Sequence, residues 1–249
     1  MKRPAKIMLI LLGTALLAIL VVVANVSRSR SIVRGIEVAV RYGDSPRLVS
    51  EQVVVDTVMR RIPTIMQRQV KFVDCKRVTA AASRVPFLTN VSSSVSVSGK
   101  VVIRADQRRP IARLYYNDRE LYLDREGALF PVSSLGSCDV LVVGGSFTEP
   151  LRVDSLNSQL RSLWEVASYL DDEPQYAILI DQIYVERDGN LMMVPKVGNH
   201  VIELGTPDNL ETKFSNLLTF YRKGMPRAGW DTYSKISLKF KGQVVCTKK

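Results

Sequence analysis

The sequence predicts an α+β protein: one N-terminal transmembrane helix, a βααββ unit, then a β-rich domain with two or more helices. Three observations carry this reading. A run of twenty residues without charge, Ile7 to Val26, stands near the start. Strand and helix periodicities then alternate over roughly eighty residues. Short alternating runs between Gly, Asn and Asp turns fill the remainder, interrupted by two amphipathic stripes.

As a helix the apolar run is about 30 Å long, enough to cross the hydrocarbon core. Lys2, Arg3 and Lys6 precede it and Arg28, Arg30 and Arg34 follow, so charge leaves its orientation open. A cleaved signal peptide is the competing reading, since Val22-Val23-Ala24 resembles a cleavage site. The run exceeds the usual signal core, which favours an uncleaved anchor. Residues 1–6 are then a tail too short to fold.

Ile32 to Val40 alternates as a strand through Ile36, Val38 and Val40, and residues 42–46 are turn chemistry. Ser50 can cap a helix to about Ile62, ended by Pro63. Val53-Val54-Val55 also fits a strand, but Val54, Val58 and Ile62 keep helical spacing. Asp74 can cap a second helix through Val78, Ala81 and Ala82. Val91, Val95 and Val97 mark a strand, Ser98-Gly99 a turn, and Val101 to Ala105 its partner.

After Arg108-Arg109-Pro110 the pattern changes. Ile111 to Tyr116, Glu120 to Leu123, Ala128 to Val132 and Val140 to Val143 read as strands. Asp154 or Ser155 opens a helix with Leu156, Leu160, Leu163, Trp164 and Ala167 on one face. Tyr176 to Glu186, Leu191 to Val194 and His200 to Leu204 form a meander. Thr206-Pro207 starts a helix with Leu210, Phe214, Leu217, Leu218 and Tyr221 in a stripe, stopped by Gly224. The chain ends on two apolar stretches, Ile236 to Phe240 and Gln243 to Cys246, bent at Gly242.

With 46% hydrophobic and 24% charged residues, the chain is not a disordered one. Its net charge is +11, but six basic residues precede the first acid, Glu37. The excess therefore flanks the apolar run, which points to a membrane surface and not to nucleic acid. Cys75, Cys138 and Cys246 are too few and too far apart for a disulfide framework; one pair can form in an oxidising compartment.

Catalytic signals are sparse. There is no phosphate-binding glycine loop, and Gly144-Gly145 reads as a strand end. His200 reads as a hydrogen-bonded structural residue, Asp171-Asp172-Glu173 as a solvated helix end, and Asp181 as the carboxylate most worth inspection. Arg108-Arg109 reads as a loop between domains. No residue is assigned as catalytic or metal-binding, and no cofactor or small-molecule substrate is expected.

Gly99 to Arg104 followed by Gln107-Arg108-Arg109-Pro110-Ile111-Ala112-Arg113-Leu114 resembles the domain-junction signature of the bacterial cell-division family FtsQ/DivIB. Tyr122-Leu123-Asp124-Arg125-Glu126-Gly127-Ala128-Leu129-Phe130-Pro131 is similar to that family's hairpin, and Val140 to Gly145 to one of its strands. The resemblance implies a transmembrane helix over 7–26, a POTRA domain over 27–108 and an FtsQ-type β domain over 109–249. It also implies an inner-membrane protein with a cytoplasmic N-terminus and periplasmic domains, enriched at the septum. Its role would be that of a non-enzymatic scaffold that binds FtsB- and FtsL-like coiled-coil proteins and other divisome proteins, and helps recruit septal wall synthesis. The family's strand-addition contact would fall on Leu238, Lys239, Phe240, Gly242, Gln243, Val244 and Val245, and a second surface on Lys76, Arg77 and Arg84. A terminal strand invites pairing by its unpaired edge, and Lys239, Lys241, Lys248 and Lys249 favour an acidic partner. An internally paired strand with merely solubilising lysines fits the same residues. Two other classes stay open: a POTRA-containing secretion or assembly module, and an anchored wall enzyme using Asp181 or His200.

Overall fold

The computed structural model describes residues 12–19, 31–148 and 157–249. The chain divides into two compact units, Met1–Gln107 and Arg108–Lys249. One expectation is corrected. Among the described residues no helix is long and apolar enough to cross a membrane. Of the expected span only residues 12–19 are described, as eight helical residues, which rise about 12 Å and fall short of a bilayer. The rest of 7–26 lies outside the described residues.

In the first unit, strand β1 (Gly35–Arg41) leads to helix α1 (Glu51–Arg61), two short 3₁₀ turns (Ile65–Gln67 and Val70–Phe72) and helix α2 (Cys75–Ala82). Strands β2 (Leu88–Val95) and β3 (Lys100–Gln107) follow. The sheet order is β1-β3-β2, with β1 parallel and β2 antiparallel to β3. Val54 and Val58 are buried one turn apart while Val53 is 41% exposed, so helical spacing prevails over the valine run's strand propensity. They pack with Val78, Ala82, Val101 and Ile103 into one core. Asp74 caps α2 by accepting the Arg77 N–H at 3.2 Å, whereas Ser50 occupies the cap position of α1 without a side-chain cap bond. Gln107 ends β3 by accepting the Leu48 N–H at 2.6 Å and donating to the Pro46 carbonyl at 2.9 Å.

The second unit is built on one nine-stranded sheet. Its strands are β4 (Pro110–Tyr116), β5 (Arg119–Asp124), β6 (Leu129–Pro131), β7 (Leu141–Gly145), β8 (Ile180–Val185), β9 (Leu191–Pro195), β10 (Val201–Gly205), β11 (Tyr233–Ser237) and β12 (Val245–Lys248). The order is β12-β11-β10-β9-β8-β7-β4-β5-β6, with β4–β7, β7–β8 and β10–β11 parallel. Helix α3 (Ser158–Asp172) is capped by Asn157, whose side chain accepts the Leu160 N–H at 2.8 Å. The expected start at Asp154 or Ser155 lies outside the described residues. The face Leu160, Leu163, Val166, Ala167 and Leu170 is buried against strand residues including Leu114, Val143, Ile183 and Met193.

In the first unit Val97 falls in the turn after β2 and not in the strand, and three boundaries of the second unit's helical segments also differ from expectation. Tyr176 belongs to a helical turn, α4 (Pro174–Ala177), because proline at the first position nucleates helix there before β8 begins. Helix α5 (Leu210–Thr219) starts after Asn209 in a left-handed conformation, not at Thr206-Pro207. Gly224 does not stop the helix: the chain passes through a π-helical segment (Phe220–Gly224) into α6 (Met225–Ala228) and ends at Gly229.

Lys213 explains the late start of α5. It is 7% exposed, and its ammonium donates to the Leu204 carbonyl at 3.1 Å, the Thr206 carbonyl at 2.8 Å and Asp208 Oδ1 at 3.0 Å. The Thr206 hydroxyl and the Lys213 ammonium together hold the Asp208 carboxyl well below the usual carboxylate range. Replacing Lys213 with Met keeps the stem but leaves two strand-end carbonyls without their donor. The expected loss is about 2 kcal/mol in urea unfolding followed by tryptophan fluorescence. Both tryptophans, Trp164 and Trp230, lie in this unit.

Candidate partner interface

The terminal hairpin forms from β11 and β12 in antiparallel register, Ser237 opposite Val245 and Ile236 opposite Cys246. Among the described residues β12 is the last strand of the sheet, with no strand on its outer side. Which groups face outward follows from the alternation of an antiparallel ladder, in which successive residues direct N–H and C=O to opposite edges. The Lys249 N–H donates to the Thr232 carbonyl at 3.1 Å, toward β11. Thr247 and Val245 share that direction, so the Cys246 and Lys248 N–H groups point to the open edge.

The opposite end of the sheet is a poorer template. β6 has three residues and closes on Pro131, which has no N–H to offer. The open edge of β12 is therefore where this sheet can accept another strand.

The predicted contact residues fall differently than their apolar pattern indicated. Leu238 to Val244 form the bend between β11 and β12, and Val245 alone of the seven lies in a strand. Leu238 is 2% exposed and donates its N–H to the Glu203 carbonyl at 2.8 Å. It belongs to the core. Val244 and Cys246 also pack against the core, while Val245 is 42% exposed on the opposite face. Phe240 is 55% exposed at the bend.

The lysines divide into two groups. Lys239 lies across Gly205 and pairs with Glu203 at 3.5 Å, which Lys235 also approaches at 3.6 Å. Burial opposes ionisation of Glu203, but the Ser237 hydroxyl and then the two lysines more than offset it, so its carboxyl stays below the usual range. Gly205 has φ +75°, and a Cβ there would meet Lys239 Cγ at 2.7 Å. Lys239 is thus part of the fold. Lys241 and Lys248 are exposed and join no ion pair among the described residues. Beside the bend, a cleft of about 140 Å³ runs between α5 and the 238–243 segment, lined by Asn216, Phe240 and Lys241 among others. A second, of about 370 Å³, is lined by Phe220, Lys223, Arg227 and Val244. Asn216 and Gly242 line both, so the two clefts adjoin, and Val244, which immediately precedes β12, lines the second.

His200 is 3% exposed; its Nε2 lies 2.7 Å from the Tyr221 hydroxyl and its Nδ1 is buried without a hydrogen-bond partner among the described residues. Burial, then the nearby Lys249 charge, lowers its pKa from 6.5. The unfolded chain therefore binds this proton more readily. Stability is full above the ordinary pKa and falls as pH drops toward the lowered one. Unfolding midpoints should decrease between about pH 7 and pH 5.5, and His200→Gln should flatten that dependence. Asp181 is exposed at a bulge between β8 and β9. Asp171 receives Arg109 and Arg125, and Asp172 receives Arg125. Burial opposes ionisation of Asp171, but the two arginines outweigh it and lower its pKa. These carboxylates are structural ion-pair partners. Lys76, Arg77 and Arg84 are exposed along and just after α2, in the first unit.

The junction signature also has a physical basis. Arg108 donates to Asp124 Oδ2 at 2.6 Å, and Asp124 Oδ1 accepts the Ala128 N–H at 2.7 Å, closing the β5–β6 turn. Trp164 Nε1 donates to the Arg125 carbonyl at 3.1 Å, joining that turn to α3. A sequence family described as FtsQ/DivIB, C-terminal related, matches residues 109–247, more than half of the chain. The chain belongs to the FtsQ/DivIB-related family. A search of curated proteins finds no match. The FtsQ/DivIB family is one of division-associated, non-enzymatic scaffolds, and the matched residues cover the whole nine-stranded sheet apart from its last residue. Sequence reasoning named Lys248 only for its charge and missed Tyr233 as the start of β11, a strand in which polar residues dominate.

Proposed function

We propose that this FtsQ/DivIB-type chain is a division scaffold that takes a segment of an FtsB- or FtsL-like coiled-coil protein as an added strand on β12. By holding that protein it helps bring septal wall synthesis to the division site. The observation that carries the reading is the open edge of β12, with the Cys246 and Lys248 N–H groups directed outward beside exposed Val245. Lys248 lies on β12 itself, and Lys241, Lys223 and Arg227 line the clefts beside the preceding bend, which favours an acidic flank on the incoming segment. The βααββ unit is read as a POTRA domain, and Lys76, Arg77 and Arg84 as its recruitment surface.

A photo-crosslinking amino acid at Val245 in dividing cells tests this. Capture of a small coiled-coil division protein is expected. Capture of a secretion or outer-membrane assembly component instead, or of nothing, would overturn the reading.

A further inference from the structure

Three segments of the first unit meet at one end. Ile32 bridges Gln69, the Val33 N–H donates to the Arg68 carbonyl at 3.0 Å, and the Val70 N–H to the Ser31 carbonyl at 2.9 Å. The Arg34 N–H donates to the Gly99 carbonyl at 3.0 Å, which brings in the Ser96–Lys100 turn. Val33 and Ile65 turn inward and are buried. Their neighbours do the reverse: Ile32 is 56% exposed, Phe72 63% and Val97 78%. Single exposed apolar residues are ordinary, but three on adjoining segments form a patch.

On these three segments every charged residue is basic. Arg34, Arg68 and Lys71 stand beside the patch, and the Lys71 ammonium lies 4.7 Å from the centre of the Phe72 ring. No acid occurs between Asp56 and Asp74. No ion pair joins Arg34, Arg68 or Lys71 to a carboxylate among the described residues. In the sequence Arg28 and Arg30 lead directly into Ser31.

We propose that this end of the first unit docks on an anionic lipid bilayer. Ile32, Phe72 and Val97 would enter the acyl boundary while Arg34, Arg68 and Lys71 reach the phosphates, the division of labour of an interfacial protein. Ile32 lies on a bridged segment, Phe72 on a 3₁₀ turn and Val97 on a hairpin turn, separate positions and not a groove, which suits a continuous fluid surface better than a folded peptide. The inference needs no membrane-crossing helix, and it is independent of the strand addition proposed for β12.

The test uses the full chain with Phe72→Trp, mixed with phosphatidylcholine vesicles containing phosphatidylglycerol brominated in its acyl chains. The fluorescence added by the new tryptophan, over that of Trp164 and Trp230, should be roughly halved. Arg68→Glu with Lys71→Glu should lower the vesicle affinity of this quenching at least about tenfold. Val97→Trp gives the same readout from a second turn. Added fluorescence that stays unquenched in both variants, or quenching unaffected by charge reversal, overturns the proposal.

Discussion

Asp124→Ala should cost the second unit about 3 kcal/mol, the largest stability loss expected from any single side chain outside the apolar core. Asp124 is 0% exposed, and both its oxygens are used. Removing the carboxylate leaves the Arg108 guanidinium, only 22% exposed, without its counter-charge. It also strips the Ala128 N–H of its acceptor at the turn that sets β6 against β5. A buried charge left alone costs more than the net worth of the pair. Arg108→Ala should be costly for the converse reason, and the double variant should lose clearly less than the sum. Urea unfolding followed by the fluorescence of Trp164 and Trp230 measures this directly. A loss below about 1 kcal/mol would mean that water or the neighbouring Glu126 carboxyl replaces Asp124 beside Arg108.

Proline at Lys248 should weaken partner binding by at least about tenfold while leaving the melting temperature almost unchanged. Its N–H is directed away from β11, so its loss spares the internal ladder and removes a donor needed by an added strand. Thr247→Pro should do the opposite, since that N–H faces β11: it should lower the melting temperature by several degrees. Lys248→Thr separates the lost charge from the lost donor and should retain most of the affinity. Equal effects at the two positions would show that the partner does not read the edge of β12 as backbone.

The first unit was largely legible because its helices and strands obey clean periodicities. Val54 and Val58 in α1, and Val78, Ala81 and Ala82 in α2, are buried where their spacing places them. The terminal hairpin was not. Leu238-Lys239-Phe240 alternates like a strand, yet the Leu238 N–H bonds Glu203 across the sheet and the chain bends at once, so the apolar pattern marks a core anchor. β11 runs instead through polar Tyr233 and Ser234, positions that only its place in the sheet order makes extended. Lys213 was equally hidden. A lysine in an amphipathic helix reads as solvated until tertiary structure brings three acceptors to it. The expected membrane-crossing helix rested on the length of one uncharged run and on the family resemblance, and the described helix at that end has eight residues.

Hydrogen exchange of the chain with and without the crosslinked partner tests the central claim most directly. Strand addition requires that the amides of Cys246 and Lys248, directed outward in the free protein, become slow in the complex, while those of Val245 and Thr247, already bonded to β11, change less. Protection confined to α2 around Lys76, Arg77 and Arg84, with β12 unchanged, would contradict it and place the partner on the first unit.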